Sequence, residues 1–512
     1  MREAPETPTE TGGTAPLGTY TGVLPVVLCL AVLAAVMCWA AYVPAQAWVN
    51  QDVAMNLFSG TEILRGAALY VDWHDTNPPA IHLLSASLVA VARGAQLPAV
   101  LVYHLFVLGL FASSAVLLVR NLRTFGPRRV AVLMLAFGAV LVSPTLLRFE
   151  DFGQREHMWL ILFVPIVILR IHSLDDRSRH FQIHAFFLGL ASGFKPHFLL
   201  LVVLAEWLLH GHSRRGNLSS RLAVCAGWLA PICVLAFLCP RSAVGMFRDG
   251  ALTIATYAHL GRPPLHQALL SRWAILAFSC TAAAWVSVWR LGEDGRISTR
   301  AASGVRTLLL VNLGCVFLQG KFLDYHWIPS IGLAFVLFVW FTVNSRRSTL
   351  QTMLPVGVLA LLGVSLFNVR TMFQPYQPRF PFNRLIRKSE KIMLFSTSIW
   401  AIRPLYLDGA TLIGPWFMHF ALPALVRDGV DERHQALLAS IRTDIQAKLD
   451  AREPELLMFE EPEHWFLQNG QTISGLVSRA GIHIPACYVE LSDQDLQSCC
   501  GGRHDWRLYR RH

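Results

Sequence analysis

Apolar runs of about 20 residues, the length that crosses a bilayer, recur along residues 1–370 of this chain. Only helices and closed barrels satisfy their own backbone hydrogen bonds inside roughly 30 Å of hydrocarbon. Composition agrees, because 54% of the 512 residues are hydrophobic and only 15% are charged, which is too apolar for a soluble protein of this size. The sequence therefore predicts an all-α polytopic membrane domain.

Short basic clusters lie between the apolar runs and contribute to the formal net charge of +11. Such clusters mark the cytoplasmic loops of membrane proteins, so they indicate topology and give no reason to expect a nucleic-acid partner. They comprise Arg120, Arg123, Arg128 and Arg129, then Arg177 and Arg179, then Arg214, Arg215 and Arg221, then Arg290, Arg296 and Arg300, and finally Arg346 and Arg347.

Placing every basic cluster in the cytoplasm predicts a path of about ten membrane passes. Residues 1–20 are expected to form a disordered cytoplasmic N-terminus, and the membrane domain is expected over 21–370, with a first helix at 23–43. The stretch 182–210 is too short for two full crossings, so we interpret it as a hairpin of short helices. A single kinked span is the alternative, and it would invert the topology of everything downstream.

Two other regions are expected outside the membrane on the extracytoplasmic side. The first is the loop 44–96, with an amphipathic helix at 54–66 and a second helix at 81–92 that lies at the interface. The second is a small C-terminal α/β domain at 371–512. There, 391–396 and 455–461 resemble buried strands, and 431–451 resembles an amphipathic helix capped by Asp431.

Along this path, polar residues that a lipid-facing helix would avoid gather in the external turns. Charged groups at membrane depth normally face a polar cavity, so their convergence predicts a functional site. The candidates are Asp52, then Glu150, Asp151, Arg155, Glu156 and His157, then Lys195 and His197, and finally Lys321, Asp324, Tyr325 and His326.

Acids beside several cations suit a site that activates a hydroxyl next to a phosphate. The cytoplasmic loops leave no room for a nucleotide-binding domain, and the sequence has no P-loop or GxGxxG context. Since nucleotides are normally absent outside the membrane, a sugar donor there is expected to be carried on a polyprenyl phosphate.

Three segments resemble the type C (GT-C) superfamily of membrane glycosyltransferases. They are "LYVDWHDTNPPAIHLLSASLVAVARG" after an acid that follows the first helix, the glycine-rich "GLASGFKPHFLLL", and "QGKFLDYHWIP" with its Tyr-His pair. The layout over residues 23–345 is similar to bacterial relatives of the protein O-mannosyltransferases and the lipid A aminoarabinose transferases. It supports the superfamily better than any one family.

The resemblance implies roles for several candidates. Asp52 would be the base that deprotonates an acceptor hydroxyl during an inverting transfer, and Glu150, Asp151 or Glu156 would supply the second acidic element. The cations and histidines after them would bind the lipid phosphate and stabilise the leaving group. One departure is that many O-mannosyltransferases have an Asp-Glu pair where this chain has Gln51, Asp52 and Val53.

No cofactor is required by the sequence. His74, Asp75 and His82 could imitate three metal ligands, but their spacing does not compel a site, so a divalent metal is left open without support.

The resulting hypothesis is a glycosyltransferase of the bacterial inner membrane that uses a polyprenyl-phosphate sugar donor. Its acceptor would be an extracytoplasmic glycan, lipid or protein. Membrane lipids would surround the protein. One alternative is a transporter or flippase of a lipid-linked glycan, which would place charges deep in the spans and pair its repeats. The other is a non-catalytic protein of envelope polysaccharide assembly.

Overall fold

The computed structural model describes residues 49–72, 74–147, 152–174, 178–209, 218–250, 263–295, 297–345, 385–396, 402–407, 409–414, 422–426, 431–460, 472–492 and 506–512. The predicted N-terminus, the first helix at 23–43 and the domain boundary at 371 lie outside these ranges. So does the apolar run at 352–369. The prediction of about ten passes therefore stays a prediction.

Helices make up the described part of the chain as far as Asn344. They are α1 Gln51–Ile63, α2 Pro79–Ala95, α3 Ala99–Leu122, α4 Pro127–Leu147, α5 Arg155–Ile171, α6 Arg179–Ser192, α7 Pro196–Leu209, α8 Leu218–Leu238, α9 Pro240–Gly245, α10 Leu265–Leu269, α11 Arg272–Glu293, α12 Thr299–Gln319 and α13 Ile328–Asn344. Short 3-10 helices at Arg123–Phe125 and Asp324–Trp327 follow α3 and precede α13.

Within the described residues, five stretches are long and apolar enough to cross a membrane, by length and composition. They are Ala99–Phe125, Leu218–Leu238, Arg272–Glu293, Thr299–Gln319 and Asp324–Asn344. The chain is therefore a membrane protein with a mostly helical bundle. Satisfying the backbone within each helix is what allows such apolar segments to leave water.

The bundle has two distinct ends, which we call the Asp52 end and the Arg170 end. Helix α5 runs between them, with Arg155 near Asp52 and with Arg170 in its last turn. Helix α13 runs the same way, because the Tyr325 ring lies under the Lys195 ammonium at the Asp52 end, whereas Trp340 donates to His172 at the Arg170 end.

Helices α6 and α7 form the hairpin predicted for 182–210. The guanidinium of Arg170 lies over Phe181 at the start of α6 and binds Glu206 near the end of α7. Lys195, in the turn between the helices, reaches Glu156 at the opposite end of α5. Both outer ends of the pair therefore lie together, which contradicts the alternative of a single kinked span.

Helix α6 packs very closely on α8. A Cβ at Gly189 would lie 2.0 Å from the Val224 carbonyl oxygen, and a Cβ at Gly227 would lie 2.0 Å from the Phe186 carbonyl oxygen. Small residues let two backbones approach in this way where no hydrophobic effect drives helices together. The crossing depends on glycine at both positions.

Helices α1 and α2 stay at the Asp52 end. Helix α1 begins three residues before the predicted 54–66 segment, so Asp52 lies in its first turn rather than ahead of it. Helix α2 starts at Pro79, which suits a first turn because proline lacks the N–H that would be unpaired there. The two helices meet at Gly60, where a Cβ would lie 2.7 Å from the Ala86 backbone nitrogen.

The C-terminal residues form a mixed five-stranded sheet with the order β2-β1-β3-β5-β4. Its strands are β1 Lys391–Phe395, β2 Thr411–Leu412, β3 Leu456–Glu460, β4 Tyr488–Glu490 and β5 Trp506–Arg511. Strand β1 pairs in parallel with β2 and β3, whereas β5 pairs antiparallel with β3 and β4. The strands predicted at 391–396 and 455–461 correspond to β1 and β3.

Four helices accompany the sheet, namely α14 Ile402–Leu407, α15 Leu422–Leu425, α16 Glu432–Asp450 and α17 Ile473–Arg479. The predicted amphipathic helix is α16, and Asp431 caps it by accepting from the backbone N–H of His434 at 2.9 Å. The core under the sheet includes Met55 and Phe58 of α1. The sheet therefore packs at the Asp52 end of the bundle.

Candidate functional site

Asp52 is buried in the first turn of α1, with 4% of its surface exposed. The preceding Asn50 caps the helix, because its side-chain oxygen accepts from the backbone N–H of Asp52 at 2.7 Å. The next residue, Val53, points into the bundle core. A second acid directly after Asp52, as in many O-mannosyltransferases, would therefore be buried among apolar side chains.

The start of α5 supplies the first partners of Asp52. The Gln154 amide donates to Asp52 Oδ2 at 3.0 Å and to Asn50 Oδ1 at 2.7 Å. The Arg155 Nη2 lies 3.4 Å from the same Asp52 oxygen. Within the described residues, the hydrogen bonds to this carboxylate end on Oδ2, which orients Oδ1 away from α5.

A second ion pair lies one residue further along α5. Lys195, from the turn between α6 and α7, donates to Glu156 Oε1 and to Gln319 Oε1 at the end of α12, the latter at 2.6 Å. Its ammonium also lies 5.5 Å from the centre of the Tyr325 ring. Burial lowers the pKa of Lys195, and the Glu156 carboxylate opposes that effect.

The late loop between α12 and α13 brings further basic groups. His326 is buried and within electrostatic range of Lys195, Arg155, His197 and Lys321. Lys321 is itself buried, with 5% of its surface exposed. Three separate segments of the chain therefore contribute cations or histidines to one place.

The loop between α1 and α2 approaches Arg155 from the other side. Asn77 Oδ1 accepts a hydrogen bond from Arg155 Nη1, and Asp75 Oδ1 accepts from the Asn77 side-chain amide at 2.9 Å. Asp75 also lies 3.4 Å from His82 Nε2, and Ser59 contacts the other ring nitrogen of His82 at 2.5 Å. These residues form a connected polar layer under Asp52.

Several buried polar atoms at this place have no hydrogen-bond partner in the described part of the chain. They are Gln154 Oε1, Arg155 Nε, Glu156 Oε2, His197 Nε2 and His326 Nδ1, together with Asp75 Oδ2 and His82 Nε2 of the polar layer. A buried polar atom without a partner costs free energy, so a cluster of such atoms suggests that a ligand supplies the missing contacts.

Comparisons with known proteins add little to this geometry. No protein-family model matches the chain, and no curated protein matches it. Among solved structures, the chain is similar to the arabinofuranosyltransferase AftD from Mycobacteria, at 15% identity and a TM-score of 0.47, covering 94% of this chain and 40% of that one. A mutant of the same enzyme is similar at 15% identity and a TM-score of 0.45, covering 94% of this chain and 41% of that one. The chain thus spans about two fifths of those chains, and a likeness at this level carries no conclusion about activity.

Seven of the candidates from the sequence lie together at the Asp52 end. They are Asp52, Arg155, Glu156, Lys195, His197, Tyr325 and His326. Lys321 joins them through its electrostatic effect on His326, and Asp324 begins the short 3-10 helix beside them. Glu150 and Asp151 lie outside the described residues.

His157 has a structural contact that the sequence did not suggest. Its Nδ1 accepts from the backbone N–H of Gly153 at 3.1 Å and so holds the turn before α5. Tyr103 supports the same turn by donating to the Gly153 carbonyl at 2.7 Å.

Four polar residues of the site were not among the candidates. Gln154 lies in "RFEDFGQREHM", which contains the candidates Glu150 to His157, and Asn77 lies in "TNPPA". Both are neutral, whereas the candidates were selected by charge. Asn50 carries the ordinary signal of an N-cap, an asparagine just before a helix. Gln319 ends α12 and has no local signal.

Asp75 and His82 are in contact, but they do not form a metal site with His74. Across the described residues, no group of three His, Cys, Asp or Glu side chains is arranged to hold a metal ion.

Proposed function

We propose that the protein is a membrane glycosyltransferase of the GT-C type that uses a polyprenyl-phosphate sugar donor and an acceptor on the extracytoplasmic face. The observation that carries the proposal is the buried meeting of Asp52 with Arg155, Lys195 and Lys321 at one end of a helical membrane bundle. A carboxylate beside several cations suits attack by a hydroxyl next to a phosphate.

In this reaction Asp52 is the base. The acceptor hydroxyl oxygen forms a bond to the anomeric carbon while the bond from that carbon to the phosphate oxygen breaks. The hydroxyl proton passes to Asp52, and the polyprenyl phosphate leaves with the electron pair of the broken bond. Attack from the side opposite the phosphate inverts the anomeric centre. Gln154 and Arg155 both contact Oδ2, which orients the carboxylate for this transfer.

The cations bind the donor phosphate and stabilise the charge that develops on the leaving oxygen. Arg155 Nε and His326 Nδ1 are buried without partners among the described residues, so they can donate to phosphate oxygens without breaking protein contacts. Groups oriented before the reaction stabilise charge at little reorganisation cost, particularly where water is excluded.

Glu156 has a different place from Asp52. Its Oε1 accepts from Lys195, whereas its Oε2 has no partner in the described ranges. We assign it to orienting Lys195 and to binding an acceptor or sugar hydroxyl. Glu150 and Asp151 remain candidates for the second acidic element that the superfamily resemblance implies.

The bundle also gives a reason to prefer an enzyme over a transporter. The buried ion pairs of the described helices lie at the two ends, with Asp52 and Glu156 at one and Glu206 at the other. A transport path for a charged glycan headgroup is expected to carry polar groups through the midplane.

The deciding experiment is transfer from a panel of radiolabelled polyprenyl-phosphate sugars by the purified protein. We expect wild type to transfer from at least one donor, and Asp52→Asn to lose at least about 10³-fold in rate, as expected when a base is removed. Glu62→Gln is the matched control, because Glu62 lies in the same helix and pairs with Arg65 near the surface.

A wild type that transfers from none of the donors overturns the proposal. So does an Asp52→Asn variant as active as Glu62→Gln. Flipping of an intact lipid-linked glycan across vesicles without transfer would instead identify a flippase.

A further inference from the structure

The loop between α1 and α2 contains a polar network that the proposed reaction does not use. Tyr70 begins it with a backbone φ of 66°, a left-handed conformation that bulky residues rarely adopt. Its buried hydroxyl donates to the Asn77 carbonyl oxygen at 2.6 Å. Burial raises the pKa of Tyr70 well above its ordinary value, with the Asp75 carboxylate adding to the effect, so the hydroxyl stays a donor. The loop is therefore held closed across seven residues.

Asp75 fixes which way the Asn77 side chain faces. Its Oδ1 accepts from the backbone N–H of Asn77 at 3.0 Å and from the side-chain amide at 2.9 Å. Because the amide nitrogen is used by Asp75, the amide oxygen of Asn77 faces Arg155 and accepts from its Nη1. The His82 ring stands behind Asp75, 3.4 Å from its other oxygen.

In this arrangement the three nitrogens of the Arg155 guanidinium have different surroundings. Nη1 donates to Asn77, Nη2 lies 3.4 Å from Asp52, and Nε is buried with no partner among the described residues. The guanidinium is a rigid planar fork, so holding two nitrogens sets the direction of the third. Asn77 achieves this with a neutral oxygen, so that, within the described ranges, Asp52 is the carboxylate that lies in ion-pair contact with Arg155.

We propose that Asn77, held by Asp75 and Tyr70, is a positioning residue that turns Arg155 so that Nε faces the donor phosphate. The inference rests on the proposed function and adds to it. Asn77 itself touches neither the sugar nor the phosphate, and its effect passes through Arg155. A carboxylate at position 77 would orient the fork equally well but would cancel its charge.

The test compares three variants in lipid nanodiscs. Asn77→Ala removes the orienting oxygen, and Asn77→Asp keeps an oxygen but adds a charge beside Asp75 and Arg155. Asn312→Ala is the matched control, because Asn312 is also buried and donates to a backbone carbonyl, that of Pro329, within the helical bundle. The measurements are binding of a polyprenyl monophosphate, KM and kcat for the donor that wild type uses, and the thermal unfolding midpoint.

We expect Asn77→Ala and Asn77→Asp to weaken lipid binding and raise KM by about 10- to 100-fold, the usual scale for a charge-assisted contact. The value of kcat should fall as well, by up to about 10-fold, because a misdirected Nε also stabilises the leaving oxygen less well. Asn312→Ala should lower the unfolding midpoint without raising KM.

Two results would overturn the inference while leaving the proposed function in place. One is wild-type lipid binding and KM in Asn77→Ala. The other is an equal rise in KM for Asn312→Ala at the same loss of stability, which would make the effect a general consequence of a weakened fold. A wild type that neither binds the lipid nor transfers a sugar overturns the proposed function together with the inference.

Discussion

Two buried arginines lie at opposite ends of helix α5, and their surroundings differ. Arg170 donates from Nε to Glu206 at 2.7 Å and from Nη2 to Ser220 at 3.3 Å, and its guanidinium lies 5.6 Å from the centre of the Phe181 ring. Three helices, α6, α7 and α8, supply these contacts. Among the described residues, no buried side-chain polar atom of Arg170, Glu206 or Ser220 lacks a hydrogen-bond partner.

Arg155 is almost as deeply buried, but its contacts are incomplete. Two of its nitrogens face Asn77 and Asp52, and Nε has no partner in the described part of the chain. Burial alone therefore does not distinguish the two arginines. The difference lies in whether the protein itself satisfies every buried donor.

Among the changes that test the comparison of the two arginines, the largest expected effect is on transfer when Arg155 is changed to lysine. A lysine keeps the charge but cannot contact Asp52, Asn77 and a phosphate in fixed directions. We expect the rate to fall by about 10²- to 10³-fold, which corresponds to the loss of one preorganised donor. Initial rates of transfer, measured with the sugar donor that wild type uses, test this expectation.

Arg170→Lys is the control for Arg155→Lys, because it makes the same change at the other end of α5. Equal losses of rate in the two variants would break the distinction between the two arginines.

The next largest effect is on stability when Arg170 is changed to alanine. Removing Arg170 leaves Glu206 partly buried, and within the described ranges its remaining ion pair is the longer one to Arg221, at 3.3 Å. We expect a loss of about 3 kcal/mol in the free energy of unfolding, read from unfolding in detergent. Replacing both Arg170 and Glu206 by apolar residues should recover most of it. No loss in Arg170→Ala would show that this cluster does not hold the bundle together.

A smaller effect is expected in the pH profile of transfer by Glu156→Gln. Burial already lowers the pKa of Lys195, and the Glu156 carboxylate keeps it from falling further. Without that carboxylate, Lys195 loses its proton at a lower pH. The alkaline side of the rate profile should therefore move to lower pH. An unmoved profile would mean that the charge of Lys195 does not support transfer.

The smallest effect is expected for an exposed ion pair at the Asp52 end. Arg241 lies 3.5 Å from Asp72, and their side chains are 73% and 43% exposed. Arg241→Ala should change the free energy of unfolding by less than about 0.5 kcal/mol, because water screens such pairs. Thermal unfolding of Arg241→Ala, measured alongside Arg170→Ala, checks this. A comparable loss of stability in the two variants would mean that burial is not the reason why the Arg170 cluster stabilises the protein.

Local patterns in the sequence predicted several elements well. The strands β1 and β3, the helix α16 with its Asp431 cap, and the hairpin of α6 and α7 follow from apolar periodicity, a capping residue and a length too short for two spans. These signals are local. The start of α1 was misplaced because Asn50 was not recognised as its cap.

Much of the charged cluster at the Asp52 end could also be predicted, because charge is rare in an apolar chain and each charged turn is conspicuous. Asp52, Arg155 and Lys195 were all found in this way. That the cluster is a functional site stays a prediction. Neutral polar residues such as Asn77 and Gln319 could not be predicted, since nothing in their own segments distinguishes them from ordinary loop or helix-end residues.

By itself, the sequence determined that this is a helical membrane protein with its polar residues collected in turns, because hydrocarbon excludes charge and unsatisfied backbone. Only the tertiary structure decided which turns meet. Asp52 and Arg155 are 103 positions apart, and Asn77 and Arg155 are 78 apart. Such contacts depend on how the helices pack. The packing also determines that, among the described residues, Nε of Arg155 has no partner.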